Sequence, residues 1–224
     1  MIDRIADKIM ARARLKMPEI DDERAELIRY GLELMIGEIP KFVLMLVISL
    51  LLGKIKYFLI SIAIICPYRI SSGGVHLKTH IGCFTMTNLV YLGNVYISEY
   101  VTFSDMHIKY AVSIFIYLFA IIMILLNAPA DTENVPILRK KVRKSKKITS
   151  IILVSIYIII SVVYDKQIIS NLFLFGVFIQ TITITKVIYK IFRVKFGYFE
   201  YIKNEQWIEK NILERRDTND RKNS

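Results

Sequence analysis

The chain has 224 residues, 54% of them hydrophobic, with a mean hydropathy of +0.43 and a formal net charge of +11. This composition excludes an ordinary soluble globular domain and makes the bilayer part of the solvent. In so apolar a chain the basic excess points to an anionic inner leaflet rather than to nucleic acid, and the two cysteines, Cys66 and Cys83, are too few for a disulfide framework.

Met1–Met17 mixes Arg4, Lys8, Arg12, Arg14 and Lys16 with apolar Ile2, Ile5, Ile9 and Ala13 at intervals of three or four. That spacing predicts a basic amphipathic helix on the cytoplasmic membrane surface rather than a signal peptide. Pro18 is expected to end it, and Ile20–Tyr30, with an acidic start, to begin another helix. Glu33 and Glu38 then precede the first apolar run. Phe42–Leu52 and Tyr57–Cys66 are expected to form a short, tight transmembrane hairpin, because one helix through both would bury two lysines at mid-bilayer. Further spans are predicted at about Ile81–Tyr100, Tyr110–Leu126, Ile148–Tyr164 and Ile168–Ile191, with Asn88 and Asn94 as interhelical hydrogen-bond partners.

Between the fourth and fifth spans, Leu138–Lys147 carries seven basic residues and is read as a cytoplasmic loop. Counting spans from that loop places both termini and the Arg69–His80 loop on the cytoplasmic side. The fold class expected is all-α: a multi-pass cell-membrane protein of about six transmembrane helices with an N-terminal amphipathic helix. Residues 1–197 form one membrane domain, with amphipathic helices in 1–30 and spans within about 31–192. Residues 198–224 form a charged cytoplasmic tail that ends in a disordered stretch.

Arg69–Cys83, R-I-S-S-G-G-V-H-L-K-T-H-I-G-C, concentrates a guanidinium, two imidazoles and a thiol in an otherwise apolar chain. Unpaired polar groups are costly in hydrocarbon, so the cluster points to chemistry, and a Cys/His pair points to a cysteine peptidase. On one continuous helix His76 and Cys83 would stand about 10.5 Å apart along the axis, too far to bond. A fold-back at Gly73-Gly74 would let them meet; His80, three residues before Cys83, is the second option. Arg69 could snorkel to headgroups or stabilise an oxyanion, as could backbone donors around Gly73 and Gly74. The H-x3-H-x2-C spacing could ligate zinc, but no other ligand cluster accompanies it, so neither a metal nor another cofactor is expected. A non-enzymatic transporter or channel subunit, with Cys83 merely packed, is the competing reading.

The pattern R-x3-G-G-x-H-x6-C at Arg69–Cys83, with Y-G-x-E at Tyr30–Glu33 and A-P-x-D-x-x-N-x-P at Ala128–Pro136, resembles the accessory gene regulator B family. The resemblance implies a membrane endopeptidase that cuts a small quorum-sensing pro-peptide on its C-terminal side and helps cyclise it as a thiolactone or lactone. By motif, Cys83 would be the nucleophile and His76 its base, with Arg69 and Gly74 at functionally important positions and Glu33 orienting a group in the site. Lys140, Lys141, Lys146 and Lys147 would hold a charged region of that pro-peptide. A homodimer is compatible with a membrane enzyme of this size.

Overall fold

The computed structural model describes residues 2–16, 21–75, 77, 79–132 and 137–205; within its helices some side chains, those of Glu33 and His80 included, are not described. The chain divides into two compact units, Met1–Ile55 and Lys56–Ser224.

In the first unit, α1 (Ile2–Lys16) packs on α2 (Asp22–Leu51). Ala6 and Met10, one turn apart on α1, are buried, as is Ala25 on α2. The exposed Arg29 Nε donates to Asp7 Oδ1 at 2.7 Å, a pair of small energetic weight at such exposure. The expected division into a surface helix to Tyr30 and a separate span does not occur. A single helix of 30 residues runs through Pro40, whose missing N–H removes one rung without ending the ladder. Gly53, at φ 66°, turns the chain at its end while the Lys54 amide closes back on Ser49 O.

The second unit contains α3 (Ile55–Ser72), α4 (His80–Tyr100), α5 (Met106–Asn127), α6 (Lys140–Val163), α7 (Gln167–Thr183) and α8 (Lys186–Ile191), with 197–205 also helical. Among the described residues there is no strand; Gly73 and Ala130 form an isolated parallel bridge. Helices α3, α5 and α6 are long and apolar enough to cross a membrane, and Ile39–Leu51 and α7 are shorter apolar segments. This is a polytopic all-α membrane architecture.

Helix α7 is the hub, packed against α4, α5 and α6. Its buried face is markedly polar: Ser170, Asn171, Gln180, Thr181 and Thr183 are all at 0–1% exposure. The outer faces are apolar, as in Ile148, Ile152, Ile156, Ile159 and Val163 along α6. Polar inside and apolar outside is the arrangement that lipid favours, because hydrocarbon gives apolar side chains nothing to escape from. Asn94 meets its expectation, donating from Nδ2 to Ser61 Oγ on α3 at 3.0 Å and to Leu172 O on α7 at 3.2 Å. Asn88 does not: its amide donates to Phe84 O within its own helix.

Three further expectations are corrected. Arg69 lies in the last turn of α3, not in a loop, because the helix continues through Pro67 to Ser72. The basic segment is helical from Lys140, since Lys and Arg are good helix formers and the apolar run simply continues the helix. The sixth span is broken at Ile184–Thr185, where the hydroxyls of Thr183 and Thr185 donate to Gln180 O and Ile182 O and the Thr183 carbonyl accepts from Val75 N.

Asp131 closes the end of this unit at which α5 stops and α6 starts. Its side chain is 1% exposed; Oδ2 accepts from Arg143 Nη1 at 2.9 Å and from the Ile137 amide at 2.8 Å, and Oδ1 accepts from the Tyr198 amide at 3.3 Å. The Arg143 guanidinium also donates to Pro129 O and lies 4.0 Å from the centroid of the Tyr198 ring. Tyr189 donates to Ala130 O and Asp131 O and stacks on Phe196. The start of the expected free tail is therefore docked. Arg143→Ala would leave a buried carboxylate without its cation, which is expected to cost about 3–5 kcal/mol and to lower the Tm of the detergent-solubilised protein well below that of Lys144→Ala.

Candidate active site

Helix α4 starts at Thr79, whose hydroxyl accepts from the Gly82 amide at 3.2 Å while its carbonyl accepts from the Cys83 amide at 2.9 Å. This cap sets Cys83 in the first turn of α4, where the helix dipole favours negative charge. Thr87, one turn further on, donates its hydroxyl to Cys83 O at 2.7 Å.

Cys83 opens on a cleft with about 300 Å³ of empty space, its open mouth included. Arg69 lines it from α3, Val75 and Leu77 from the connecting segment, and Cys83, Met86, Thr87, Val90 and Tyr91 from α4. The thiol and the guanidinium chosen from the sequence thus face one space. His76 and the side chains of His80 and Glu33 lie outside the described residues, although Val75 and Leu77, which flank His76, both line the cleft.

Arg69 is held on two sides. One Nη2 hydrogen goes to Val75 O at 2.8 Å and one Nη1 hydrogen to Gln180 Oε1 at 3.4 Å, leaving part of its five-donor fork uncommitted. Gln180, fully buried on α7, also donates through Nε2 to Gly73 O at 2.8 Å and Ser72 Oγ at 3.1 Å. Thr181 pairs with Tyr68 OH at 2.9 Å, and Val75 N donates to Thr183 O. The last turn of α7 therefore serves as the template on which residues 68–75 are laid. Sequence reasoning missed Gln180, and its signal was an amide in the middle of an apolar run.

Gly73 and Gly74 adopt φ of 75° and 151°, conformations that side chains rarely take. Gly73 N donates to Arg69 O and Gly74 N to Ala130 O, while Ala130 N donates to Ser72 O. Both glycine amides are thus engaged and do not serve as oxyanion donors; the glycines allow a close backbone approach instead. A Cβ on Gly73 would lie 2.3 Å from Ala130 O, and one on Gly74 would lie 2.8 Å from Thr183 Oγ1 and 2.9 Å from Arg69 Nη1.

The four selected lysines are on the first turns of α6. Lys146 Nζ donates to Ile70 O at 2.7 Å and Lys147 Nζ to Leu125 O at 2.8 Å, satisfying carbonyls in the last turns of α3 and α5 that have no partner within their helices. Lys140 and Lys141 are exposed. The basic row and the Arg69 end of α3 consequently share one end of the unit.

Gly73→Ala and Gly53→Ala separate backbone conformation from close approach, since both sites have positive φ but Gly53 has nothing within 4 Å of an added Cβ. Gly73→Ala is expected to cost about 1–3 kcal/mol more, read as the difference in Tm between the two variants.

The accessory gene regulator B family model matches residues 2–184. A putative AgrB-like protein of Clostridium acetobutylicum is 25% identical over 203 residues, covering 88% of this chain and 94% of that protein. Another from Clostridium beijerinckii is 29% identical over 157 residues, covering 70% and 75%. The accessory gene regulator protein B of Staphylococcus aureus is 25% identical over 162 residues, covering 72% and 83%. No solved structure matches. With its apolar helices and a family match running from α1 through α7, this membrane protein belongs to the accessory gene regulator B family.

Proposed function

We propose that the protein is a membrane-embedded cysteine endopeptidase of a quorum-sensing system, cutting a small pro-peptide on its C-terminal side and assisting cyclisation of the product to a thiolactone or lactone. The observation that carries this reading is the cleft shared by Cys83, in the first turn of α4, and Arg69.

In the proposed mechanism His76 takes the Cys83 proton, and the thiolate attacks one peptide carbonyl. The C-terminal fragment leaves with that proton as the acyl-enzyme forms. A nucleophile on the substrate then displaces Cys83, a step that competes with hydrolysis only where water is scarce and the nucleophile is held close. The cleft is narrow and its lining largely apolar, which suits both conditions. Arg69, with N–H groups left over from Val75 and Gln180, is available to an oxyanion or a substrate carboxylate. Lys140 and Lys141 offer exposed charge to an acidic region of the pro-peptide, while Lys146 and Lys147 hold helix ends. This reading has both termini and the cleft on the cytoplasmic side, where a new pro-peptide is made.

The test is co-expression with a small candidate pro-peptide from the same genome, following cleavage by mass. Wild type is expected to release a C-terminal fragment, and Cys83→Ala, Cys83→Ser and His76→Ala to release none; cleavage by Cys83→Ala would end the peptidase reading. Thiol alkylation distinguishes the enzyme from a packed, inert membrane protein: Cys83 should react at neutral pH at least about tenfold faster than Cys66 and slow down in His76→Ala. Equal, slow rates favour the inert protein. For the basic row, Lys140→Gln/Lys141→Gln is expected to weaken peptide binding more at low salt than at high salt, and unchanged binding at both would remove these lysines from the substrate site.

A further inference from the structure

We propose that Lys186–Lys195, which forms α8 and the turn after it, is a docking surface for the headgroups of anionic phospholipids in the leaflet at that end of the bundle, whatever the chemistry at Cys83. The break at Ile184–Thr185 ends the apolar run of α7 and starts a helix of another kind, capped by the Thr185 hydroxyl, which accepts from the Ile188 amide at 3.4 Å.

The side chains of α8 divide by direction. Tyr189 is 2% exposed and anchors the protein side. Its hydroxyl donates to Ala130 O at 2.9 Å, a carbonyl that also accepts from Gly74 N, and its ring stacks on Phe196 at 3.9 Å. On the other side Lys186 and Lys190, one turn apart, form an exposed cationic row. Val187 and Ile191, 66% and 62% exposed, form an apolar row beside it. Adjacent apolar and cationic rows suit a lipid interface, where the aliphatic chains enter the acyl boundary and the ammonium groups stay level with the phosphates.

Exposed Arg193 and Lys195 extend the charge past α8. Among the described residues Lys195 meets Glu200 at 3.6 Å, while Lys186, Lys190 and Arg193 meet no acid. Like charges one turn apart repel, so the surface gains from a counter-anion. The location says which anion. Val75 N reaches Thr183 O, and the Tyr198 amide reaches Asp131 Oδ1, so the segment is packed where α3, α5 and α7 end and α6 starts. The apolar outer faces of those helices run up to this end, which puts the headgroup layer beside it. An acidic peptide or a free phosphate would neutralise the cations and leave Val187 and Ile191 in water; a phospholipid covers both rows.

The test titrates the purified full chain, in nonionic detergent, with dihexanoyl phosphatidylglycerol and follows Tm. Tm is expected to rise with this lipid. It should stay level with dihexanoyl phosphatidylcholine, with glycerol 1-phosphate, which has the charge without the chains, and with a glutamate decapeptide. Lys186→Gln/Lys190→Gln/Arg193→Gln is expected to raise the half-saturating lipid concentration at least about tenfold at low salt, with a smaller difference at high salt. Val187→Ser/Ile191→Ser should raise it about threefold or more. Lys56→Gln/Lys166→Gln, exposed at the starts of α3 and α7, should leave it unchanged. If the triple variant does not fold, Lys186→Gln/Lys190→Gln is read in its place. No rise with phosphatidylglycerol, an equal rise with any of the other three additives, or a charge variant that titrates like wild type would each overturn the assignment.

Discussion

Three pieces of backbone meet at Gly73-Gly74 with no room for a side chain between them. The end of α3 exchanges hydrogen bonds with Ala130 through Ser72 O and Gly74 N, and Val75 N reaches Thr183 at the end of α7. A single Cβ on Gly73 would stand 2.3 Å from Ala130 O. In a membrane protein this contact matters doubly, because non-helical backbone at an apolar depth survives only where other protein groups satisfy it. The junction meets that demand with main-chain partners and with the Gln180 amide, and its geometry turns Arg69 into the same cleft as Cys83.

Helix α7 carries this arrangement. Its buried polar face would be a liability in a soluble core but serves here as the interior of a helix bundle, tying α3 through Thr181 and Gln180 and α4 through Asn171 and Leu172 O. The opposite requirement, satisfying helix ends, is met by long cations: Lys146 and Lys147 reach across to the last turns of α3 and α5. Asp131 and Arg143 form the remaining tie. A buried pair of this kind is weak evidence of net stability, but here its hydrogen bonds to the Ile137 and Tyr198 amides make it a registry device for the segments around α6 and α8.

Arg69–Cys83 was legible as a concentration of unusual chemistry and Ala128–Pro136 as a motif carrying the family resemblance, yet their structural meaning differs from the one that their composition suggests. The Gly-Gly pair reads as a source of backbone donors and is instead a point of close approach. Asp131 reads as one member of a motif and is a buried anchor whose cation, Arg143, was hidden among seven basic residues of one segment. Positive-inside reasoning treats those residues as interchangeable charge; the fold separates them into an anchor, two helix caps and four exposed cations. Gln180 carried no signal beyond being an amide in an apolar run, because its partner Gly73 is 107 positions away in the chain.

By itself, the sequence determined the membrane character, the all-helical class, the approximate position of the apolar helices and where polar and ionisable side chains concentrate between them. These follow from hydropathy, period and residue chemistry, which are local quantities. Only the tertiary structure decided that Arg69 shares a cleft with Cys83, that the glycine amides are already engaged, that α7 breaks at Ile184–Thr185 and that the basic segment is the start of a helix. Each of these depends on which distant backbone groups satisfy one another. Where hydrocarbon surrounds the chain, that pairing is settled between helices, beyond the reach of any local pattern.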